Sequence, residues 1–188
     1  MGFFFNRKAS QRNSNSPSIE KVKSMSVSKS DKEVQRTATE HENVRLGKEF
    51  LDAMNKHDME RLTNLFHPDA SVEMVEGTKM DGTTFLNSLQ DIYYSFPDFA
   101  VTLPPAELQK DGSVIFRGIV GSGTHTGAPY GFGPFEPIPA AGKKFRNDEE
   151  SIQIHFRESK IVRYVFLSIG MYSGPHGVYT QLGGFPLM

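Results

Sequence analysis

From Glu42 to Met54 apolar or small residues recur every three or four positions (Val44, Gly47, Phe50, Leu51, Met54), with Arg45, Lys48, Glu49 and Asp52 between them. That period is one face of an α-helix and predicts a helix packed on one side. Asn55-Lys56-His57-Asp58 interrupts it. Met59, Leu62, Leu65 and Phe66 then form a shorter stripe, with Asp58 placed to cap its start. Pro68 stops this helix, because the residue before a proline avoids helical backbone angles. Residues 71–75 alternate as a short strand, and Asp81-Gly82 marks a turn. Phe85, Leu86, Leu89, Ile92, Tyr93 and Phe96 predict a third helix, closed by Pro97.

Beyond Pro97 the period drops from near four to two. Phe99, Val101 and Leu103 alternate up to Pro104-Pro105, and Asp111-Gly112 signals a hairpin leading into a β-branched stretch over residues 113–126. Residues 127–142 hold four glycines and four prolines and read as a loop. Strand patterns resume over 145–156 and 160–169, joined by Arg157-Glu158-Ser159. Three helices followed by four or five mostly antiparallel strands predict an α+β domain, its helices covering one face of a curved sheet.

Composition divides the chain in two. The 188 residues carry a net charge of −1, with 37 % hydrophobic residues and no cysteine. The missing cysteines exclude disulfides, thiolate metal sites and a cysteine nucleophile. Residues 1–40 hold eight bases and four acids (net +4) and eight serines, whereas residues 41–188 carry a net −5. A segment so poor in apolar side chains cannot offset its ordering entropy, so residues 1–40 are expected as a disordered basic tail and 41–188 as one domain. Two targeting readings stand beside a plain solvated tail. Gly2 opens like a myristoylation signal but is followed by Asn6 in place of Ser or Thr, and the acid-free first nineteen residues read like an organelle transit peptide. No stretch has the length and apolarity of a membrane span, and an intracellular, cytoplasmic location is expected. The near-zero charge argues against a nucleic-acid partner.

Four segments carry a family resemblance, over residues 43–185. They are Asp52-Ala53-Met54-Asn55-Lys56-His57-Asp58 with His67-Pro68-Asp69-Ala70; Phe96-Pro97-Asp98; Gly123-Thr124-His125-Thr126-Gly127 with Ile138-Pro139-Ala140-Ala141-Gly142-Lys143; and Lys160-Ile161-Val162 with Gln181-Leu182-Gly183. Together they resemble the SnoaL-like polyketide cyclases of the nuclear transport factor 2-like superfamily. The resemblance implies a cone-shaped sheet wrapped around a helix, an apolar pocket for a small apolar molecule, and a homodimer. It also implies cofactor-independent aldol or isomerase chemistry by a pocket aspartate and a histidine. The family's aspartate lies about nine residues after the lysine of the last long strand. Here that position is Ile169, and no acid occurs from Arg163 to Met188.

His125 matches the motif histidine, and its ordinary pKa near 6.5 suits acid or base work. The alternative is a histidine bonded to backbone at a strand end. Counting by two puts it on one strand face with Ile115 and Ile119. Asp148 and Glu150 share parity with Ile152, Ile154 and Phe156, an apolar face on which burial raises a carboxyl pKa. The alternative is a solvated strand start. Tyr94, Tyr130 and Tyr164 are candidate donors to an enolate or simply packed rings, and Val165, Leu167 and Ile169 are candidate lining residues on the last strand. Asp98 reads as a turn acid. The other five histidines show no ligand spacing, so no metal is expected. A non-catalytic pocket or a dimeric adaptor on the same fold is the rival to an enzyme.

Overall fold

The computed structural model describes residues 29–75, 77–131 and 133–184. The first helix, α1 (Lys29–Asn55), starts well before Glu42. Residues 29–40, expected as tail, are therefore helical, exposed over 33–39, and held by contacts one turn apart such as Arg36–Glu40 at 3.2 Å. The myristoylation and transit readings fall on residues outside the described ones. Helix α2 (Met59–Leu65) begins as expected, with Asp58 Oδ1 accepting from Arg61 N at 2.9 Å. Helix α3 (Gly82–Ser95) begins at the Asp81-Gly82 turn. There Asp81 caps the helix by accepting from Thr84 N at 2.8 Å. A Cβ at Gly82 would lie 2.8 Å from the Phe66 ring, so the missing side chain lets α3 close onto the sheet.

Six strands form one sheet, in the order β2 (Lys79–Asp81), β1 (Phe66–Glu73), β9 (Lys160–Ser168), β8 (Glu150–Arg157), β5 (Val114–Ile119), β4 (Ala106–Leu108). Only β1 and β9 in it pair parallel. A three-stranded sheet holds β3 (Ala100–Val101), β6 (Gly121–Thr124) and β7 (Lys144–Arg146). The stretch expected as one strand over 113–126 is thus two, in two sheets. Gly118, at φ +74, forms a bulge between the Arg117↔Ser151 and Ile119↔Glu150 pairs, and the chain turns there. The bulge also reverses side-chain parity, so Ile119 joins Val114 and Phe116 in the main core cluster, while Ile115, also buried, lies outside that cluster. At the β8–β9 hairpin Glu158 and Ser159 both take positive φ, as a two-residue hairpin turn requires.

The core lies between the helices and the inner face of the larger sheet. From α1, Phe50 packs edge-on against Tyr164, ring centroids 5.6 Å apart, and lies 6.0 Å from Phe66. Leu51, Leu62, Ile152, Ile154 and Ile161 are all but sealed from solvent. A fourth helix, α4 (Gly174–Gln181), lies in the Gly-rich stretch after β9, where the sequence pattern predicted no helix. It buries Val178 and Tyr179. Among the described residues, no helix is long and apolar enough to cross a membrane.

Candidate functional site

An apolar cavity of about 150 Å³ lies between the helices and the sheet. Leu51 and Met54 of α1, Phe85, Leu89 and Ile92 of α3, and Phe166 of β9 supply much of its wall. Ile169, Pro175 and Val178 cover it from the C-terminal segment. Four lining side chains carry polar atoms: Ser88, Asn147, Glu150 and Tyr164. The Ser88 hydroxyl is engaged within its own helix, donating to Thr84 O at 3.0 Å. The other three form the polar part of the cavity.

Glu150 stands at the first position of β8, opposite Ile119. Its Oε1 accepts from Asn147 Nδ2 at 3.0 Å. The Ser173 hydroxyl and the Gly174 N–H, at the start of α4, also lie near enough to favour the charged carboxylate. Burial is the largest influence and pushes the Glu150 carboxyl above the usual carboxylate range, while these three donors pull the other way. The phenol of Tyr164 is raised well above its ordinary value, first by burial and then by the Glu150 charge, so it remains a donor at neutral pH. The second amide atom of Asn147, Oδ1, is buried and has no hydrogen-bond partner among the described residues.

Asp148, the other strand-start acid, is exposed and does not line the cavity. Its Oδ2 accepts from Tyr172 N at 3.1 Å, and its backbone carbonyl accepts from Ser173 Oγ at 3.2 Å. It therefore fastens the loop that carries Ser173 to Glu150.

His125 does not line the cavity either. It lies just past β6, 1 % exposed, with Phe96 beside it at a ring separation of 5.1 Å. Its Nε2 donates to the Ala128 carbonyl at 2.9 Å, which fixes the tautomer and matches the backbone-bonded alternative. Tyr130 is buried edge-on against Phe96, its hydroxyl donating to Pro175 O at 3.3 Å, behind the cavity wall. Tyr94 is 60 % exposed and meets Gln90 on the outer side of α3. Asp98 is the turn acid expected, accepting from Thr124 N and Oγ1, both at 2.6 Å.

On β9 the lining face differs from the one counted. The register runs His155↔Arg163 and then Phe156↔Ile161, so Val162 is an extra residue; Leu167 is another, between Ile152↔Phe166 and Ser151↔Ser168. Each extra residue flips parity. Tyr164 and Phe166 face the cavity, and beyond the second flip so does Ile169, while Val165 and Leu167 do not line it. Asn147 and Ser173 were not singled out from the sequence, although the Ser173-Gly174-Pro175 run is a helix-start signal: Ser173 sits at the N-cap and Pro175 in the first turn. No group of three or more His, Cys, Asp or Glu among the described residues could hold a metal ion.

Comparison with known proteins agrees with this architecture. A family model described as a SnoaL-like domain matches residues 48–164. AclR of Streptomyces galilaeus, provisionally assigned as a hydroxylase, shares 19 % identity over 82 % of this chain and 85 % of its own, with a TM-score of 0.58. IdmH of Streptomyces antibioticus, provisionally assigned as a polyketide cyclase, shares 24 % over 74 % and 96 %, with a TM-score of 0.55. A protein of Xanthomonas campestris pv. campestris with the same provisional assignment shares 15 % over 68 % and 90 %, also at 0.55. Sequence comparison with curated proteins finds no match. At these identities the solved structures speak for the fold, and the family model, covering more than half of the chain, speaks for kinship: the chain belongs to the SnoaL-like family.

Proposed function

We propose that the chain is a cofactor-independent acid–base catalyst acting on a small, mostly apolar carbonyl compound, with Glu150 as the proton-transferring group. The observation that carries this is one partly buried carboxyl, raised by burial, in the wall of an apolar cavity that Tyr164 also lines. A raised carboxyl is a stronger base than a solvated one and is more easily reprotonated, which suits proton transfer at carbon. In the proposed step the Glu150 carboxylate removes a proton from the carbon next to the carbonyl. The C–H electron pair becomes the enolate double bond, and negative charge moves to oxygen, where the Tyr164 hydroxyl is the candidate donor. Returning the proton from Glu150 to carbon completes an isomerisation. In a ring closure the enolate carbon instead attacks a second carbonyl of the same molecule, and Glu150 protonates the new alkoxide. The homodimer belongs to the same proposal, supported by Val165 and Leu167 on the sheet face that turns away from the cavity.

The test needs no knowledge of the natural substrate. A ring ketone such as 2-tetralone, incubated with the protein in D2O, is expected to exchange the hydrogens next to its carbonyl faster than in buffer. Glu150→Gln is expected to lower the catalysed part at least about a hundredfold. A variant exchanging at the native rate would overturn the role of Glu150. The rival reading, a non-catalytic pocket, is favoured by one observation: Glu150 is the only carboxylate among the residues lining the cavity. Saturable ketone binding with no exchange at all is the result that supports it.

A further inference from the structure

We infer that the cavity selects a compact, uncharged ligand of one or two rings with a carbonyl-type acceptor, and excludes both charged isosteres and extended polycyclic molecules. This rests on the acid–base reading of the same site for the placement of the carbonyl, but its premises are the size and charge of the wall.

Size comes first. A cavity of about 150 Å³ is below the roughly 300 Å³ at which drug-sized pockets begin, and apolar cavities near this size accept a single aromatic ring. Three or four fused rings do not fit within it. Charge follows from what lines the wall. No Lys, Arg or His is among the lining residues, so an anionic ligand finds no counter-ion. The one feature that would favour an anion, the start of α4 with its Ser173 hydroxyl and Gly174 N–H, already serves the carboxyl of Glu150. The chain has supplied its own anion at that point, and a second would meet like-charge repulsion in an apolar surround. A cationic ligand fares little better. It must leave water for a wall of Met, Leu and Phe, and the carboxylate it would seek already accepts from Asn147 Nδ2 and is steadied by the start of α4. What remains unspent is the Tyr164 hydroxyl, a donor that stays protonated, and the buried Asn147 Oδ1, an uncharged acceptor, together with apolar surface: the requirements of a neutral carbonyl compound.

The experiment is a set of shape-matched probes against the full chain carrying ¹³C-methyl methionine. Of its eight methionines, Met54, Met74 and Met80 line the cavity, so their methyl resonances report occupancy. 4-Phenyl-2-butanone is expected to shift those three in a saturable way and to bind at least about tenfold more tightly than either 3-phenylpropanoate or 3-phenylpropylamine. 1-Acetylpyrene is expected to leave them unmoved. Equal or tighter binding of the acid or the amine would overturn the charge argument, and entry of 1-acetylpyrene would overturn the size argument. The two readings of the site fail separately. Selective ketone binding without Glu150-dependent exchange defeats catalysis alone, and Glu150-dependent exchange without size or charge selectivity defeats the present inference alone.

Discussion

Replacing His125 by alanine separates a histidine that builds the site's surroundings from one that performs chemistry. The ring is 1 % exposed, donates to Ala128 O at 2.9 Å, and packs against Phe96 with centroids 5.1 Å apart. The backbone of residue 125 keeps its own bonds to Lys143 O (2.8 Å) and from Gly142 N (2.9 Å), so the substitution removes the ring alone. The lost hydrogen bond contributes about 1 kcal/mol net. The void left between Phe96 and Tyr130 costs about 2 kcal/mol more. The sum, about 3 kcal/mol, corresponds to a fall in Tm of roughly 6–12 °C for a domain of this length. Urea unfolding of His125→Ala and wild type measures the stability, and ketone exchange per folded molecule, read well below the transition, measures the chemistry. The expected pair of results is a large loss of stability with exchange within about twofold of wild type. His125→Gln, which retains a side-chain donor, should recover part of the stability. A variant that keeps its stability but loses exchange a hundredfold would return His125 to the reaction and refute the placement argued above.

Two further outcomes follow from the same geometry. Glu150 has its carboxyl raised on folding, so the folded chain holds that proton to higher pH than the unfolded chain, which releases it near ~4.3. The stabilisation is complete below the unfolded value and is lost as pH rises through the folded one, with a slope of at most about 1.4 kcal/mol per pH unit. Urea unfolding across this range should show that slope in wild type and its loss in Glu150→Gln; parallel curves would contradict it. At Gly177 a Cβ would fall on the backbone of Tyr172, which cannot rotate aside as a side chain would. Gly177→Ala should therefore cost about 2 kcal/mol and speed amide hydrogen exchange in α4, and native protection of residues 174–181 would count against it.

The fold was legible where a single period ran unbroken. The one-sided stripes of α2 and α3, with Asp58 and Asp81 at their starts, needed nothing beyond local rules. Helix α4 escaped because its eight residues include Gly174, Pro175 and Gly177 and show no apolar stripe. The early turns of α1 escaped because residues 33–39 are exposed and form no apolar stripe, so they carry no hydrophobic signature to read. The site was harder, because period-two counting holds only while pairing is regular. Gly118, Val162 and Leu167 each add a residue to one strand of a pair, and each exchanges the inner and outer faces beyond it. That is why Val165 and Leu167 counted as lining, and why Ile115 was placed with Ile119. Glu150 stayed on its expected face because no irregularity separates it from Ile152 and Ile154 along β8, whereas Asp148 lies before the strand starts.

The position of Glu150 also explains what the C-terminal segment contributes to the cavity. A carboxyl facing Met, Leu and Phe would, from burial alone, hold its proton more firmly than a solvated one. The three donors around it all lie on the segments flanking Asp148: Asn147 precedes it, and Ser173 and Gly174 are brought in by the loop that Asp148 fastens through Tyr172 N and Ser173 Oγ. Their effect opposes burial without cancelling it. The same helix start that steadies the carboxylate brings Pro175 and Val178 over the cavity, so closing the apolar wall and tuning the acid are one structural act. Any change that lifts α4 away should therefore loosen the ligand and shift the carboxyl at once, whereas a change confined to the far wall at Phe85 or Ile92 should alter ligand fit alone.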